Sequence, residues 1–363
     1  MTIQRIGVMT SGGDAPGMNP AVRAVVRMAS SLGLEVMGVE RGFQGLMESA
    51  FKRLTVRDIG GLLSRGGTIL QSARSEEFKT ITGQRKAIHN LNAAAIDGLV
   101  IIGGNGTHQG AYELSRHGFP IVTIPSTIDN DLCFTDMTLG VDTALNTVLD
   151  AIDKIRDTAS SLKRAFLIET MGRDSGYLAL MSGIAGGAEV IVIPEAPMTL
   201  AQILEGIQAQ YTLGKPHSII VVAEGHRPST QEIYEYLHAR EQELGFTVRM
   251  TILGHIQRGG RPTAYERLLA TRLAVAAVQN LHAGNYGVMV GLVGNKTQLT
   301  DLAQVATCHK KVDLDLYAMA NMLEFGRAKT IPTPLPTPTA SRRANFGEMR
   351  PKTTKEELPP EAF

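Results

Sequence analysis

The chain has 363 residues, 43% of them hydrophobic and 20% charged, with a formal net charge of +1. That length suffices for two domains, or one large one, with a full core, and the charge balance recruits neither nucleic acid nor an anionic membrane. No apolar run is long enough to span a bilayer and Met1–Val8 is too short and polar for a signal peptide, so a soluble, cytoplasmic protein is expected.

In chain order, short β-rich runs each give way to Gly or polar residues and then to a helical pattern. Ile6–Met9 leads into Thr10-Ser11-Gly12-Gly13-Asp14 and a periodic apolar stretch from Asn19 to Leu32. Leu99–Ile102 leads into Gly103-Gly104-Asn105-Gly106-Thr107 and a helix from Gln109 to His117. Ile121–Ile124 leads into Pro125-Ser126-Thr127-Ile128-Asp129-Asn130-Asp131, with a long helical segment opening near Val141. The same grammar recurs at Phe166–Glu169, Val190–Ile193, Ile219–Ala223, Met250–Leu253 and Val288–Val293. Strands alternating with helices predict an α/β fold built on parallel sheets, with ligands beyond the carboxyl ends of the strands.

The Val141–Ser161 segment reads as the border between two similar α/β halves. Composition changes after Arg327: seven of the 16 prolines lie between Pro332 and Pro360, which predicts a flexible, extended tail over 328–363. The two cysteines, Cys133 and Cys308, are far apart in sequence and match no metal or redox spacing. A disulfide and two thiols both stand as readings, and a reducing cytosol favours two buried thiols.

Three groups of loop residues carry chemistry. The two glycine loops, at Gly12–Gly13 and Gly103–Gly106, each follow a strand and precede a helix, where backbone N–H groups can cradle phosphate oxygens. Either loop alone is equally well a packing turn; two at one sheet edge favour a polyphosphate site. Asp129 and Asp131 stand two residues apart at a strand end, and in extended chain they share a face. One could accept a proton from an attacking hydroxyl while the other helps hold Mg²⁺. An Asx-rich turn is the alternative for that segment. Finally, Arg164, Arg173, Arg249 and Arg258 stand near strand termini, a cationic lining suited to bidentate phosphate recognition.

Together, Thr10-Ser11-Gly12-Gly13-Asp14-Ala15-Pro16-Gly17-Met18-Asn19, Thr127-Ile128-Asp129-Asn130-Asp131, Met171-Gly172-Arg173 and Leu253-Gly254-His255-Ile256-Gln257-Arg258-Gly259-Gly260 resemble, in order, the ATP-dependent 6-phosphofructokinases of the bacterial type. The resemblance runs from about Ile6 to about Phe325. It implies two similar parallel-sheet domains, 1–140 with 254–302 for ATP and 141–253 with 303–327 for the sugar phosphate, and transfer of phosphate from MgATP to fructose 6-phosphate in glycolysis.

By resemblance, Gly12, Arg74, Ser75 and the Gly104-Asn105-Gly106-Thr107 loop contact ATP, and Asn105 and Asp131 serve Mg²⁺. Asp129 resembles the catalytic base, with Thr127 and Arg173 near the transferring phosphoryl group. Glu224 is similar to the residue that holds sugar hydroxyls. Ile128, Met171, Gly172, His255, Ile256, Gln257 and Arg258 belong to the sugar-phosphate pocket. Arg164 and Arg249 match arginines supplied by a neighbouring subunit, which implies a homo-oligomer, usually a tetramer. Arg23, Arg27, Arg156, Gly187, Glu189, Lys215 and His217 match an allosteric nucleotide site.

Three positions depart from that pattern. Asn105 replaces an Asp, Ser126 replaces a Gly, and Leu213 with Pro216 stand where effector sites often carry lysines. Pyrophosphate-dependent relatives place Asp at the Gly106 position and Lys at the Ser126 position, so ATP is the expected donor. A non-catalytic subunit, suggested by Asn105 alone, is opposed by the intact Asp129, and a lipid or NAD kinase would leave the basic lining unexplained.

Overall fold

The computed structural model describes residues 3–325. The proline-rich segment 328–363 lies outside the described residues.

The strands are β1 (Arg5–Thr10), β2 (Glu35–Val39), β3 (Phe51–Leu54), β4 (Gly98–Gly103), β5 (Ile121–Pro125), β6 (Arg164–Thr170), β7 (Val190–Val192), β8 (Ser218–Ala223), β9 (Thr247–Ile252), β10 (Val288–Val293) and β11 (Lys296–Asp301). The helices are α1 (Met18–Ser31), α2 (Gly42–Glu48), α3 (Ile81–Ala93), α4 (Asn105–Arg116), α5 (Val141–Leu162) and α6 (Tyr177–Ala185). They continue as α7 (Leu200–Thr212), α8 (Thr230–His238), α9 (Glu241–Leu244), α10 (Ala264–His282), α11 (Leu302–Val305) and α12 (Leu314–Phe325).

All eight predicted strands are present, and the structure adds β2, β3 and β11. These last read poorly in sequence because β3 is four residues long and β11, Lys-Thr-Gln-Leu-Thr-Asp, is almost wholly polar and exposed. The segment expected as Met250–Leu253 begins three residues earlier, at Thr247, and the helix expected from Gln109 opens at Asn105.

Two sheets result. One runs β11-β10-β5-β4-β1-β2-β3 and the other β7-β8-β6-β9. In the larger sheet β2, β1, β4, β5 and β10 are parallel, and only the edge strands β3 and β11 are antiparallel. The smaller sheet is wholly parallel. Parallel sheets bury both faces, and β4, β5 and β8 are buried at every residue, which explains their unbroken apolar runs. Because β1, β4 and β5 are neighbours, the loops leaving their carboxyl ends emerge side by side.

Cys133 and Cys308 form a disulfide, with Cα atoms 5.9 Å apart across a sequence separation of 175. The expectation of two free thiols is thereby corrected. Sequence distance is no guide here, because β10 pairs with β5 and carries the C-terminal segment alongside the loop that follows β5.

A buried carboxylate ties two helices together. Glu266, fully buried in α10, accepts hydrogen bonds from Gly140 N (2.7 Å) and from Thr143 N and Oγ1 (both 3.3 Å) at the start of α5. It satisfies N–H groups that no intrahelical carbonyl reaches. Burial outweighs these bonds and pushes the Glu266 carboxyl up to about 7. A carboxyl whose folded pKa lies above its unfolded value binds its proton more tightly when folded, so the contribution of Glu266 to stability is greatest below pH 4.5 and declines as pH rises towards 7. Urea unfolding should show wild type losing roughly 3 kcal/mol over that window from this group. Glu266→Gln should flatten the decline, and an unchanged slope would remove Glu266 as its source.

Candidate active site

The loop Ser11–Gly17 separates β1 from α1, so the first pair of glycines does not sit at a helix start. The second loop does: Gly104 caps α4, whose first turn presents Asn105, Gly106 and Thr107. The helix-terminus geometry that suits an anion therefore belongs to the β4–α4 loop, while the Gly12 loop lies across from it. A methyl group added at Gly12 would fall 3.3 Å from Thr107 Oγ1, and one at Gly104 would fall 3.5 Å from Thr127 Cβ. The loops after β1, β4 and β5 thus close on one space. At Gly106 the same addition meets nothing within 4 Å.

Asn19, part of the first motif, braces the wall of this space. Its amide donates to Gly66 O (2.9 Å) and its carbonyl accepts from Ile69 N (2.8 Å). That holds the 65–72 loop, from which Ser72 Oγ donates to Gly12 O (2.6 Å). Arg74 and Ser75 follow directly, with Ser75 Oγ accepting from Phe78 N (3.3 Å). Ser126 is buried, and its hydroxyl donates to Leu139 O (3.3 Å).

The two carboxylates do not share the face of an extended strand, as expected from their spacing. Asn130 between them has φ 48°, so the chain turns. Its side chain holds the turn, donating to Asp136 O (3.2 Å) and accepting from Thr138 N (3.1 Å). Asn130 thus spends its side chain on the turn, through residues six and eight positions on rather than as an Asx-turn, and the flanking carboxylates are not used in it. Ile128 is fully buried beneath them.

Asp129 is 5% exposed, and its Oδ1 has no hydrogen-bond partner. Its Oδ2 lies 3.8 Å from Arg173 Nε. Burial and the neighbouring charge of Asp131 raise its pKa, against the pull of Arg173 and Arg258. Burial raises Asp131 too, opposed by a hydrogen bond from Asn105 Nδ2 to Asp131 Oδ2 at 2.6 Å. An orphaned, largely dry carboxylate oxygen is a proton acceptor in search of a donor.

The smaller sheet supplies the facing wall. After β6, Gly172 and Arg173 turn sharply, with φ 142° and 53°. Their N–H groups donate to Glu224 Oε1 (3.2 and 2.8 Å), at the end of β8. Met171 N donates to Gln257 Oε1 (3.2 Å), and Gln257 is fully buried while His255 and Ile256 are exposed. Arg258 reaches the first glycine loop, donating from Nη1 to Asp14 O (3.3 Å). A methyl at Gly13 would lie 2.4 Å from that nitrogen.

Arg164 and Arg249 are not brought to this space. Arg164 opens β6, six residues from the carboxyl end and so about 20 Å away at strand rise. Arg249 lies mid-strand in the neighbouring β9, paired with Phe166, its Nη1 donating to Val248 O (2.7 Å) and standing 4.0 Å from Glu241. The expected effector residues gather in part. Arg156 donates to the carbonyls of Gly186 and Gly187, Lys215 Nζ lies 3.4 Å from buried Glu189, and His217 stands two residues beyond Lys215. Both ring nitrogens of His217 are buried without partners. Arg23 and Arg27 stand instead on α1, which packs against α10 in the other layer.

Sequence reasoning missed Lys310. Its backbone N donates to Asp131 O (3.0 Å), and its Nζ donates to Thr135 O (2.9 Å) and Asp136 O (2.7 Å). No local pattern signals a contact made across more than 170 residues.

Residues 5–281 match the family described as Phosphofructokinase. The chain is 50% identical over 323 residues to the ATP-dependent 6-phosphofructokinase of Halalkalibacterium halodurans, covering 89% of this chain and 100% of that one. It is 51% identical over 322 residues to ATP-dependent 6-phosphofructokinase 1 of Thermus thermophilus, covering 88% and 99%. Among solved structures it is similar to phosphofructokinase from Saccharomyces cerevisiae, with TM-score 0.78 and 35% identity over 89% of this chain and 47% of the yeast chain. A pyrophosphate-dependent phosphofructokinase from Marinobacter aquaeolei, 22% identical with TM-score 0.75 over 86% of both chains, shares the fold. No helix among the described residues is long and apolar enough to cross a membrane. The glycine loops, the buried Asp129 and the facing Arg173 thus stand in a chain that belongs to the phosphofructokinase family.

Proposed function

We propose that this chain is a cytoplasmic, glycolytic ATP-dependent 6-phosphofructokinase, making fructose 1,6-bisphosphate and ADP from fructose 6-phosphate and MgATP. The observation that carries the reading is the unpartnered Oδ1 of Asp129, buried between the glycine loops and Arg173. The C1 hydroxyl gives its proton to Asp129 as its oxygen bonds to the γ-phosphorus. The bond from that phosphorus to the bridging oxygen breaks, and ADP leaves. Arg173 and backbone N–H groups at the start of α4 face the charge that spreads over the phosphoryl oxygens. Gly106 leaves room for the nucleotide, and Ser126 turns its hydroxyl away to Leu139, so neither position carries the Asp or Lys expected of a pyrophosphate user.

Asp131 and Asn105 suit Mg²⁺, which binds through few carboxylates and completes its shell with water and substrate phosphates. When bound, the ion neutralises charge on the phosphates. Asn105 gives Asp131 a hydrogen bond where an Asp would place a second negative charge. Residues 1–140 with 254–302 serve the nucleotide and 141–253 with 303–327 the sugar phosphate. Arg164 and Arg249, far from Asp129 in their own chain, serve a neighbour's site in a homotetramer. The Arg156–His217 cluster binds an anionic effector once a second subunit adds its cations, weakly because Leu213 and Pro216 bring no charge.

Purified protein given fructose 6-phosphate and Mg²⁺ should turn over with ATP and not with pyrophosphate. Faster turnover with pyrophosphate overturns the donor assignment. Asp129→Asn should lower kcat by about 10²–10⁴ with substrate affinity retained. Mixing it with Arg249→Ala should restore activity in hybrid oligomers, and failure despite demonstrated subunit exchange would place the arginines in their own chain's service. Asn105→Asp should lower the Mg²⁺ concentration for half-maximal activity and leave KM for fructose 6-phosphate unchanged. Superimposable Mg²⁺ curves would show that Asn105 only shapes the loop.

A further inference from the structure

The loop from Asp131 to Thr138 is held by its own turn and, from outside, by a segment far along the chain. Cys308 is bonded to Cys133, two residues beyond Asp131. Lys310, two residues beyond Cys308, donates from its backbone to Asp131 O at 3.0 Å. Its partly buried ammonium group donates to Thr135 O at 2.9 Å and Asp136 O at 2.7 Å. On the opposite side Asp136 is fastened to the sheet, its N donating to Leu292 O (2.7 Å) and its Oδ2 accepting from Gly294 N (2.8 Å). Residues 308–310 therefore form a strap with one covalent and three hydrogen-bonded fastenings across the loop that carries Asp131.

We propose that Cys308 and Lys310 are positioning residues for Asp131, and that the Cys133–Cys308 bond is a redox-operated fastening that sets how firmly the metal-binding loop is held. Asp131 has little else to fix it among the described residues, since its side chain is held by Asn105 and its carbonyl by Lys310. A loop fastened at fewer points opens more often, because local opening is governed by the bonds that span the segment. The reagent class is a dithiol. Its thiolate attacks the sulfur of Cys308, a partly exposed residue between exposed Thr307 and His309, whereas Cys133 is only 9% exposed. Cys133 leaves as a thiolate and takes a proton. The second thiol of the reagent then closes its own disulfide and releases Cys308, so two electrons and two protons pass to the protein. A reducing cytosol would open the bond, and oxidation would close it.

The Mg²⁺ part of this proposal rests on Asp131 as a metal-binding residue. The test compares the full chain as an oxidised disulfide, after dithiothreitol, and as Cys133→Ser/Cys308→Ser. Those are the only two cysteines, so the double variant should match the reduced protein and ignore the reductant. The primary readout is hydrogen exchange of the 131–138 amides without nucleotide or metal, expected to quicken about tenfold on reduction. Lys310→Met, which keeps the disulfide, should quicken the same amides. The second readout is the Mg²⁺ concentration for half-maximal activity, expected to rise severalfold on reduction while KM for fructose 6-phosphate stays constant. Identical exchange in the oxidised and reduced chains, or two free thiols in protein never exposed to reductant, overturns the strap. Asp131→Asn separates the two readings. If it leaves the Mg²⁺ requirement unchanged while reduction still quickens exchange, the metal assignment fails and the strap stands. If it raises the requirement and reduction moves neither readout, the strap fails alone.

Discussion

Asp129, which is buried, and Asp131, which is partly buried, put two carboxylates near each other, and most of the surrounding structure answers that arrangement. Burial favours the neutral form of each, and the charge on Asp131 further raises Asp129. Left uncompensated, such a pair would take up protons and lose its use as a base or as a cation ligand. Arg173 and Arg258 pull Asp129 back, and Asn105 does the same for Asp131. The arginines come from outside the loop: Arg173 from the turn after β6, Arg258 from a 3₁₀ turn that reaches across to Asp14. Cations that anchor the acidic pair are thus also the cations a phosphate would meet.

Delivery of these groups to one place follows from the parallel sheets. In a parallel sheet the carboxyl ends of neighbouring strands point the same way, so the order β5-β4-β1 sets three loops in a row without any long connection. β6 and β8 do the same for the facing wall, where Glu224 binds the backbone of Gly172 and Arg173 and fixes the turn that aims Arg173. The same directionality explains why Arg164 and Arg249 are remote. Arg164 opens β6 and Arg249 lies mid-strand in β9 opposite Phe166, so both are set back from the carboxyl ends of their strands.

Much of what stiffens the site is polar and internal. Asn19 braces one loop, Asn130 shapes another, and Glu266 caps α5 from α10. Each side chain closes backbone groups that would otherwise be buried without partners, the requirement that buried polar groups place on any loop of this kind. The Asp129 Oδ1 atom departs from that rule, and it lies where the chemistry is expected.

The alternation of apolar runs, glycine loops and helical periods was readable from the residues, because strand and helix periods and turn chemistry are local properties. It gave the predicted strands, the parallel α/β class and the segments around Gly12, Gly104 and Asp129. What depended on contacts distant in sequence was not readable. The spacing of Asp129 and Asp131 suggested a shared strand face, whereas Asn130 adopts a left-handed turn held by bonds to Asp136 and Thr138. The first glycine loop suggested a helix start, and the chain inserts a longer loop there. The sequence left both a disulfide and two thiols open for Cys133 and Cys308, with thiols favoured, and gave no sign of the hold of Lys310 on Asp131, since those meetings follow from β10 lying beside β5. Strand order is set by burial summed over both faces of a sheet, a quantity that no single stretch of sequence contains.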